Sequence, residues 1–98
     1  MTWAVSFHEA AALELNEAAD FYDLECPGLG AAFLDEVQSA LIRIAQFPEG
    51  APLILGRVRR KVLPKFPYVV MYSLRDPQIR ILAVAHEKRR PFYWRGRR

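Results

Sequence analysis

The spacing of apolar residues changes once along the chain, near Pro48, and this change is the strongest constraint on the fold. Before it, apolar residues recur at steps of three and four, which is the period of an amphipathic α-helix. After it, apolar and polar residues alternate, which is the period of a β-strand. The chain therefore predicts an α+β fold in which a helical part is followed by a sheet-forming part.

Two helices are predicted before this change. The first spans residues 8 to about 25, after a strand in TWAVSF, and a capping box of Ser6 and Glu9 marks its start. The second spans about 29 to 47, and because only a short Pro-Gly link separates the two, they form an antiparallel hairpin. The apolar stripes are Ala11, Leu15, Ala18, Ala19 and Tyr22 in the first helix, and Phe33, Val37, Ala40, Leu41 and Ile44 in the second.

Three strands are predicted after the connection PEGAPLILG, namely RVRRKVL, FPYVVMYSL and QIRILAVAH. Tight links between them favour a three-stranded antiparallel meander. The hairpin covers one face, so the other face must be polar, functional or covered by a partner. In RVRRKVL, Arg60 shares the face expected to be buried with Val58 and Val62. A structural role is expected for Arg60, with its stem packed and its guanidinium reaching a hairpin carboxylate or the rim of the sheet.

Composition indicates one globular domain over residues 1–98, since 52% of the residues are hydrophobic. Cys26 is the single cysteine, so no intrachain disulfide can form, and no Cys/His cluster has metal-ligand spacing. We therefore expect neither a metal nor a cofactor. The N-terminus lacks the regions of a signal peptide and the apolar runs are too short to span a bilayer, so we expect a cytoplasmic protein with no membrane partner.

Charge is sorted along the chain. Residues 1–56 hold nine acidic residues and one basic residue, whereas residues 57–98 hold thirteen basic and two acidic residues, and the net charge is +3. The acids of the first helix, Glu14, Glu17, Asp20 and Asp23, are expected to face water. This sorting predicts a basic face that meets an acidic partner, either nucleic acid or an acidic protein segment.

The ending AVAHEKRRPFYWRGRR holds the residues most able to do chemistry. A metal-free ribonuclease could use His86 or Tyr93 to move protons and arginines to stabilise the phosphate. However, no second acid or base pairs with His86, and a lone histidine at a strand end is more often structural. We expect the ending to be a binding surface in which aromatic residues, Trp94 above all, are structural. Its arginines, Arg95, Arg97 and Arg98, are expected to be functional and to cost little stability when replaced.

Three segments resemble the RelE/ParE superfamily of toxins from bacterial type II toxin–antitoxin systems: ELNEAADFYDLECPGLGAAFLDEVQSALIRIAQFP, KVLPKFPYVVMYSL and ILAVAHEKRRPFYWRGR. The most specific pieces are PGLG between the helices, Arg60 followed by Leu63 and FPY, and the AVAH ending with its YW pair. The resemblance covers nearly the whole chain and is closer to ParE. It implies a RelE/ParE-like α+β domain, a cytoplasmic toxin that a cognate antitoxin holds inactive in a hetero-oligomer.

The resemblance also implies a target. ParE-like members poison DNA gyrase without a known reaction of their own, and we favour this non-enzymatic function. The alternative is a RelE-like, ribosome-dependent mRNA endonuclease, for which the candidate catalytic residues are His86, Tyr93, Arg59, Lys61 and Arg80. A second alternative is a non-toxic protein- or nucleic-acid-binding module. The candidate partner-binding residues are Arg57, Arg59, Lys61, Arg80, Arg89, Arg90 and Arg95.

Overall fold

The computed structural model describes residues 3–98 and has the α+β fold that the sequence predicts. Its elements are β1 (Ala4–Phe7), α1 (Glu9–Glu25), α2 (Leu29–Gln46), β2 (Leu53–Leu55), β3 (Val58–Val62), β4 (Tyr68–Arg75) and β5 (Gln78–His86). The strands form one sheet in the order β1-β5-β4-β3-β2. The predicted first strand began at Thr2, which lies outside the described residues. No helix within residues 3–98 is long and apolar enough to cross a membrane.

The sheet has one strand more than the sequence predicts. The extra strand, β2, lies inside PEGAPLILG and pairs antiparallel with β3 through a register irregularity between Leu53 and Leu55. Three residues are too few to show an alternating pattern, and the surrounding Pro and Gly indicated a connection. In addition, β1 pairs in parallel with β5, so the sheet is mixed. The predicted meander β3-β4-β5 is antiparallel throughout, as expected.

Both helices pack on one face of the sheet, which we call the helix face. The predicted stripes are confirmed, because each of their residues is either buried in the core beneath the helices or packed against it. Tyr72 of β4 is fully buried there, and its hydroxyl donates a hydrogen bond of 2.8 Å to the carbonyl oxygen of Pro48. The buried hydrophobic residues of the helices are Ala11, Ala18, Ala19, Phe33, Val37, Ala40 and Ile44.

The start of α1 differs from the prediction. His8 is the N-cap, and its Nδ1 accepts a hydrogen bond of 3.0 Å from the backbone N–H of Ala10. Ser6 instead belongs to β1, so the capping box of Ser6 and Glu9 is wrong. The backbone N–H of His8 also bonds to the carbonyl of Ile81 at 2.8 Å, which extends strand pairing to the first residue of the cap. Strand pairing thus decides where α1 begins.

The PGLG link has a specific physical role at each glycine. Gly28 has a φ of 91°, a left-handed conformation that favours glycine. Gly30 lies where α2 passes closest to α1. A Cβ there would overlap the carbonyl oxygen of Ala19 and lie 2.7 Å from Cγ of Asp23. Oδ1 of Asp23 already accepts a hydrogen bond of 2.7 Å from the backbone N–H of Gly30, which satisfies a free donor in the first turn of α2.

We therefore expect Gly30→Ala to destabilise the protein by about 2 kcal/mol. The added methyl group would overlap a backbone oxygen of α1, which cannot move aside unless the helix shifts. In an unconstrained helix the same change would stabilise by about 1 kcal/mol. Urea unfolding of both proteins measures the difference. Ser39→Ala, at an exposed site of the same helix, is the control and should change stability by less than about 0.5 kcal/mol. Stabilisation by Gly30→Ala would contradict the close approach.

The opposite side of the sheet, which we call the tail face, is partly covered by the chain itself. The C-terminal tail, residues 87–98, folds back so that Trp94 packs against Val69, Met71, Ala83 and Ala85 and is 3% exposed. The expectation that this face must be polar, functional or covered by a partner is therefore wrong for β4 and β5, because the tail of the same chain covers it. On β3, by contrast, the tail face stays open, and Val62 is 51% exposed.

A bulge in β5 makes this double-sided packing possible. Tyr72 pairs with Ile81 and Met71 pairs with Ala83, so Leu82 is an extra residue between them. Alternation of side chains is interrupted at the bulge. Ile81 and Val84 consequently both belong to the helix-face core, while Ala83 belongs to the tail-face cluster.

Candidate partner-binding surface

The two faces of β3 are the reverse of the prediction. Arg59 and Lys61 pair with Tyr72 and Val70, which lie in the helix-face core. Arg60 therefore lies on the tail face, where it is exposed, and its guanidinium forms no hydrogen bond or salt bridge with residues 3–98. The expected contact with a hairpin carboxylate is not made. Alternation favoured burial of the face that carries the two valines. The helix-face core instead buries Leu63, which continues the face of Arg59 and Lys61.

Arg59 holds the connection that precedes β2. Its guanidinium donates to the carbonyl oxygens of Glu49 at 3.0 Å and of Ala51 at 2.7 Å. Both bonds come from Nη1 of Arg59, and both acceptors follow the end of α2 in the chain. Arg59 is thus committed to an internal contact, whereas Arg57 is exposed at the start of β3.

A cluster centred on Glu14 fastens the tail to the helices. Glu14 Oε2 accepts a hydrogen bond of 2.8 Å from the hydroxyl of Tyr93. Arg97 donates two hydrogen bonds to the same carboxylate, at 3.0 and 3.1 Å, and a third to the carbonyl of Leu82 at 3.0 Å. The backbone N–H of Val84 also donates to Glu14, at 3.1 Å. The side chain of Glu14 is only 12% exposed, so the expectation that it faces water is wrong.

The cluster changes the protonation behaviour of its members. Burial, and then the hydrogen bond to Glu14, raise the pKa of Tyr93 well above its usual range. The hydrogen bond to Glu14 also raises the pKa of Arg97, although burial acts in the opposite direction. Arg89 stacks over the ring of Tyr93, with its Cζ 4.0 Å from the ring centre. Tyr93 is therefore held as a neutral hydrogen-bond donor. The three hydrogen bonds of Arg97 argue against the expectation that replacing it costs little stability.

The five candidate nuclease residues do not gather at one site. His86 and Tyr93 both line one cavity, but Arg59, Lys61 and Arg80 do not line it. Arg80 and His86 lie six residues apart on β5, which is about 20 Å along an extended strand. Arg80 donates to Oγ of Ser6 at 3.2 Å and to the carbonyl of Phe7 at 3.0 Å, at the β1 edge. His86 instead packs edge-on against Tyr68, with ring centres 5.2 Å apart, and its Nδ1 accepts a backbone hydrogen bond from Lys88 at 3.1 Å.

Arginines do gather on the tail face, around two cavities. The first has a volume of about 400 Å³ and lies between the sheet and the tail, beside Arg60, Arg89 and Arg90. The second has about 320 Å³ and is lined in part by Arg57, Arg75, Arg80, Arg97 and Arg98. Of the candidate partner-binding residues, Arg57, Arg80, Arg89 and Arg90 thus border these cavities, Arg95 is exposed in the tail, and Arg59 and Lys61 lie on the helix face. The charge sorting of the sequence becomes a basic tail face opposite two acidic helices.

Residues 5–91 match the family model described as the ParE toxin of type II toxin-antitoxin system, parDE. The chain belongs to this family. A chain of the chromosomal ParDE TA system from P. aeruginosa has a similar fold, with a TM-score of 0.76 and 18% identity over 87% of this chain and 96% of that chain. No curated protein sequence matches. The predicted family and fold are confirmed. The residues of this ParE-family chain that follow Pro91, including Trp94 and Arg97, lie beyond the range that the family model matches.

Proposed function

We propose that this ParE-family protein is the toxin of a toxin–antitoxin pair, and that it inhibits DNA gyrase by binding rather than by cutting RNA. The observation that carries the choice is the dispersal of the candidate nuclease residues. General acid–base catalysis needs groups within hydrogen-bond reach of one reacting phosphate. Arg80 lies far from His86 on β5. Tyr93 lines the same cavity as His86, but its hydroxyl is engaged by Glu14. A binding function has no such requirement.

The tail face suits a protein target with an acidic surface. Its arginines project around the two cavities. Among the carboxylates of the hairpin, only Glu14 is within 4.0 Å of an arginine nitrogen in the described residues. Such a one-sided field accelerates the encounter with an acidic partner and orients it. This electrostatic attraction should weaken as salt concentration rises.

The antitoxin is expected to cover the hairpin and the open part of the sheet with an amphipathic segment. Large apolar side chains are exposed on this route, among them Leu24 at 87%, Phe47 at 73% and Val62 at 51%. An amphipathic segment that runs along the hairpin and the open part of the sheet would cover these separate apolar side chains. Co-expression with the adjacent small gene should yield a complex that survives purification at moderate salt. Failure of the two proteins to co-purify would contradict the pairing.

Supercoiling by purified gyrase tests the proposed target. We expect the ParE-family chain to block supercoiling and its antitoxin to restore it, while transcripts in toxin-producing cells stay intact at first. His86→Ala should still block supercoiling, because histidine does no chemistry in this function. Early cleavage of ribosome-bound transcripts that is lost in His86→Ala would overturn the proposal in favour of an mRNA endonuclease, whose rate should fall about 100-fold or more without its proton-transfer group.

A further inference from the structure

The cavity of about 400 Å³ on the tail face has an apolar floor and a basic rim. Its floor comes from the sheet and from Trp94, which is 3% exposed. This volume is within the range of pockets that hold small organic molecules. The apolar floor residues are Ile54, Val69, Met71, Ala85 and Trp94.

The rim has positive charge without internal partners. Arg60 and Arg90 are exposed, and neither guanidinium makes a hydrogen bond or salt bridge with any residue from 3 to 98. Glu87, also in the lining, lies beyond 4.0 Å of every arginine nitrogen described. Guanidinium groups pair most strongly with planar or tetrahedral anions through two parallel hydrogen bonds. The rim can therefore accept an anionic group from outside the chain.

The wall of the cavity is strained at one residue. Phe92 has a φ of 60°, and its ring meets that of Trp94 edge-on with centres 6.0 Å apart. A left-handed backbone at a bulky residue is uncommon, and such strain concentrates at ligand sites. Phe92 therefore lines the cavity, next to Arg90 in the lining, in a backbone conformation that a bulky residue rarely adopts.

We propose that this cavity binds a small organic anion, which has an apolar ring system for the floor and one carboxylate or phosphate group for Arg60 and Arg90. A simple inorganic anion would leave the floor hydrated, and a neutral ring would leave the arginines unpaired. Only a molecule with both parts satisfies floor and rim together. The cavity lies on the same face as the proposed gyrase contact. Anion binding is measured on the chain alone, without gyrase or antitoxin, so its outcome and that of the proposed function are distinguishable.

Four probes test the proposal by isothermal titration calorimetry on the full chain, with the indole N–H resonance of Trp94 as a local reporter. They are 4-biphenylcarboxylate, its neutral carboxamide, acetate, and adenosine monophosphate as a ring that bears phosphate. We expect at least one of the two ring-bearing anions to bind with a Kd below about 1 mM and to shift the Trp94 resonance. The carboxamide and acetate should bind at least about ten-fold more weakly. The tighter of the two ring-bearing anions identifies the anionic group that the site prefers.

The variant Arg60→Gln/Arg90→Gln should weaken the anion at least about ten-fold and leave the carboxamide unchanged, which also shows that the floor remains folded. Arg43→Gln, an exposed arginine of α2 far from the cavity in sequence and on the helix face, is the matched control and should change nothing. Equal affinity for acid and amide would overturn the proposal. So would an equal loss in Arg43→Gln, or the absence of binding by both ring-bearing anions.

Discussion

Trp94→Ala is expected to lower the free energy of unfolding by about 3–5 kcal/mol. The indole is 3% exposed and fills the space between the tail and four residues of β4 and β5, so its removal leaves a cavity that the sheet cannot close. The total free energy of unfolding of a natural domain is about 5–15 kcal/mol, so this loss is a large fraction of it. Denaturant unfolding measures this loss, provided that the slope of the free energy of unfolding against denaturant concentration is the same for the variant and the unchanged protein.

Arg95→Ala is the matched control for this change, since Arg95 is adjacent in sequence and exposed. It should alter the free energy of unfolding by less than about 0.5 kcal/mol. If Trp94→Ala and Arg95→Ala unfold at the same denaturant concentration, the packing of the tail on the sheet does not stabilise the fold, and the prediction is wrong. Trp94→Phe keeps much of the apolar volume, so its free energy of unfolding should lie between those of Trp94→Ala and Arg95→Ala.

Local patterns sufficed for the helices and the long strands. Helical spacing located α1 and α2 to within one residue, because each has a continuous apolar stripe and a Pro or Gly at its end. The strand pattern located β3 and β5 to within one residue and β4 to within two residues. The parallel pairing of β1 with β5 was beyond such patterns, since it joins residues about 74 positions apart and depends on where the sheet has a free edge.

The faces of the strands were harder to predict than the strands themselves. On β5, Leu82 forms a bulge, so Arg80 and His86 point to opposite faces although they are an even number of residues apart. A single extra residue moves every later side chain to the other face, and nothing in ILAVAH marks the bulge, because apolar residues occupy both sides. Alternation alone placed His86 on the same face as Arg80, and the bulge contradicts this placement.

The burial of Glu14 could be predicted from helical spacing, but the usual exposure of glutamate argued against it. It lies three residues after Ala11 and four before Ala18, both of which are buried, so helical spacing already places it on the packed side of α1. The usual preference of glutamate for water suggested the opposite. The tail supplies what reverses this preference, because Tyr93 and Arg97 donate three hydrogen bonds to the carboxylate. A partner 83 positions away cannot be found from local spacing.

Glu14→Ala is therefore expected to destabilise the protein by about 2–4 kcal/mol, because it leaves the guanidinium of Arg97, which is 18% exposed, without its carboxylate. Urea unfolding measures this loss, and Glu17→Ala, one turn along α1 and exposed, should cost less than about 0.5 kcal/mol. In a double-mutant cycle, Glu14→Ala should cost at least about 1 kcal/mol less when Arg97 is already alanine. Additive effects, or a Glu14→Ala variant as stable as Glu17→Ala, would show that the cluster does not fasten the tail.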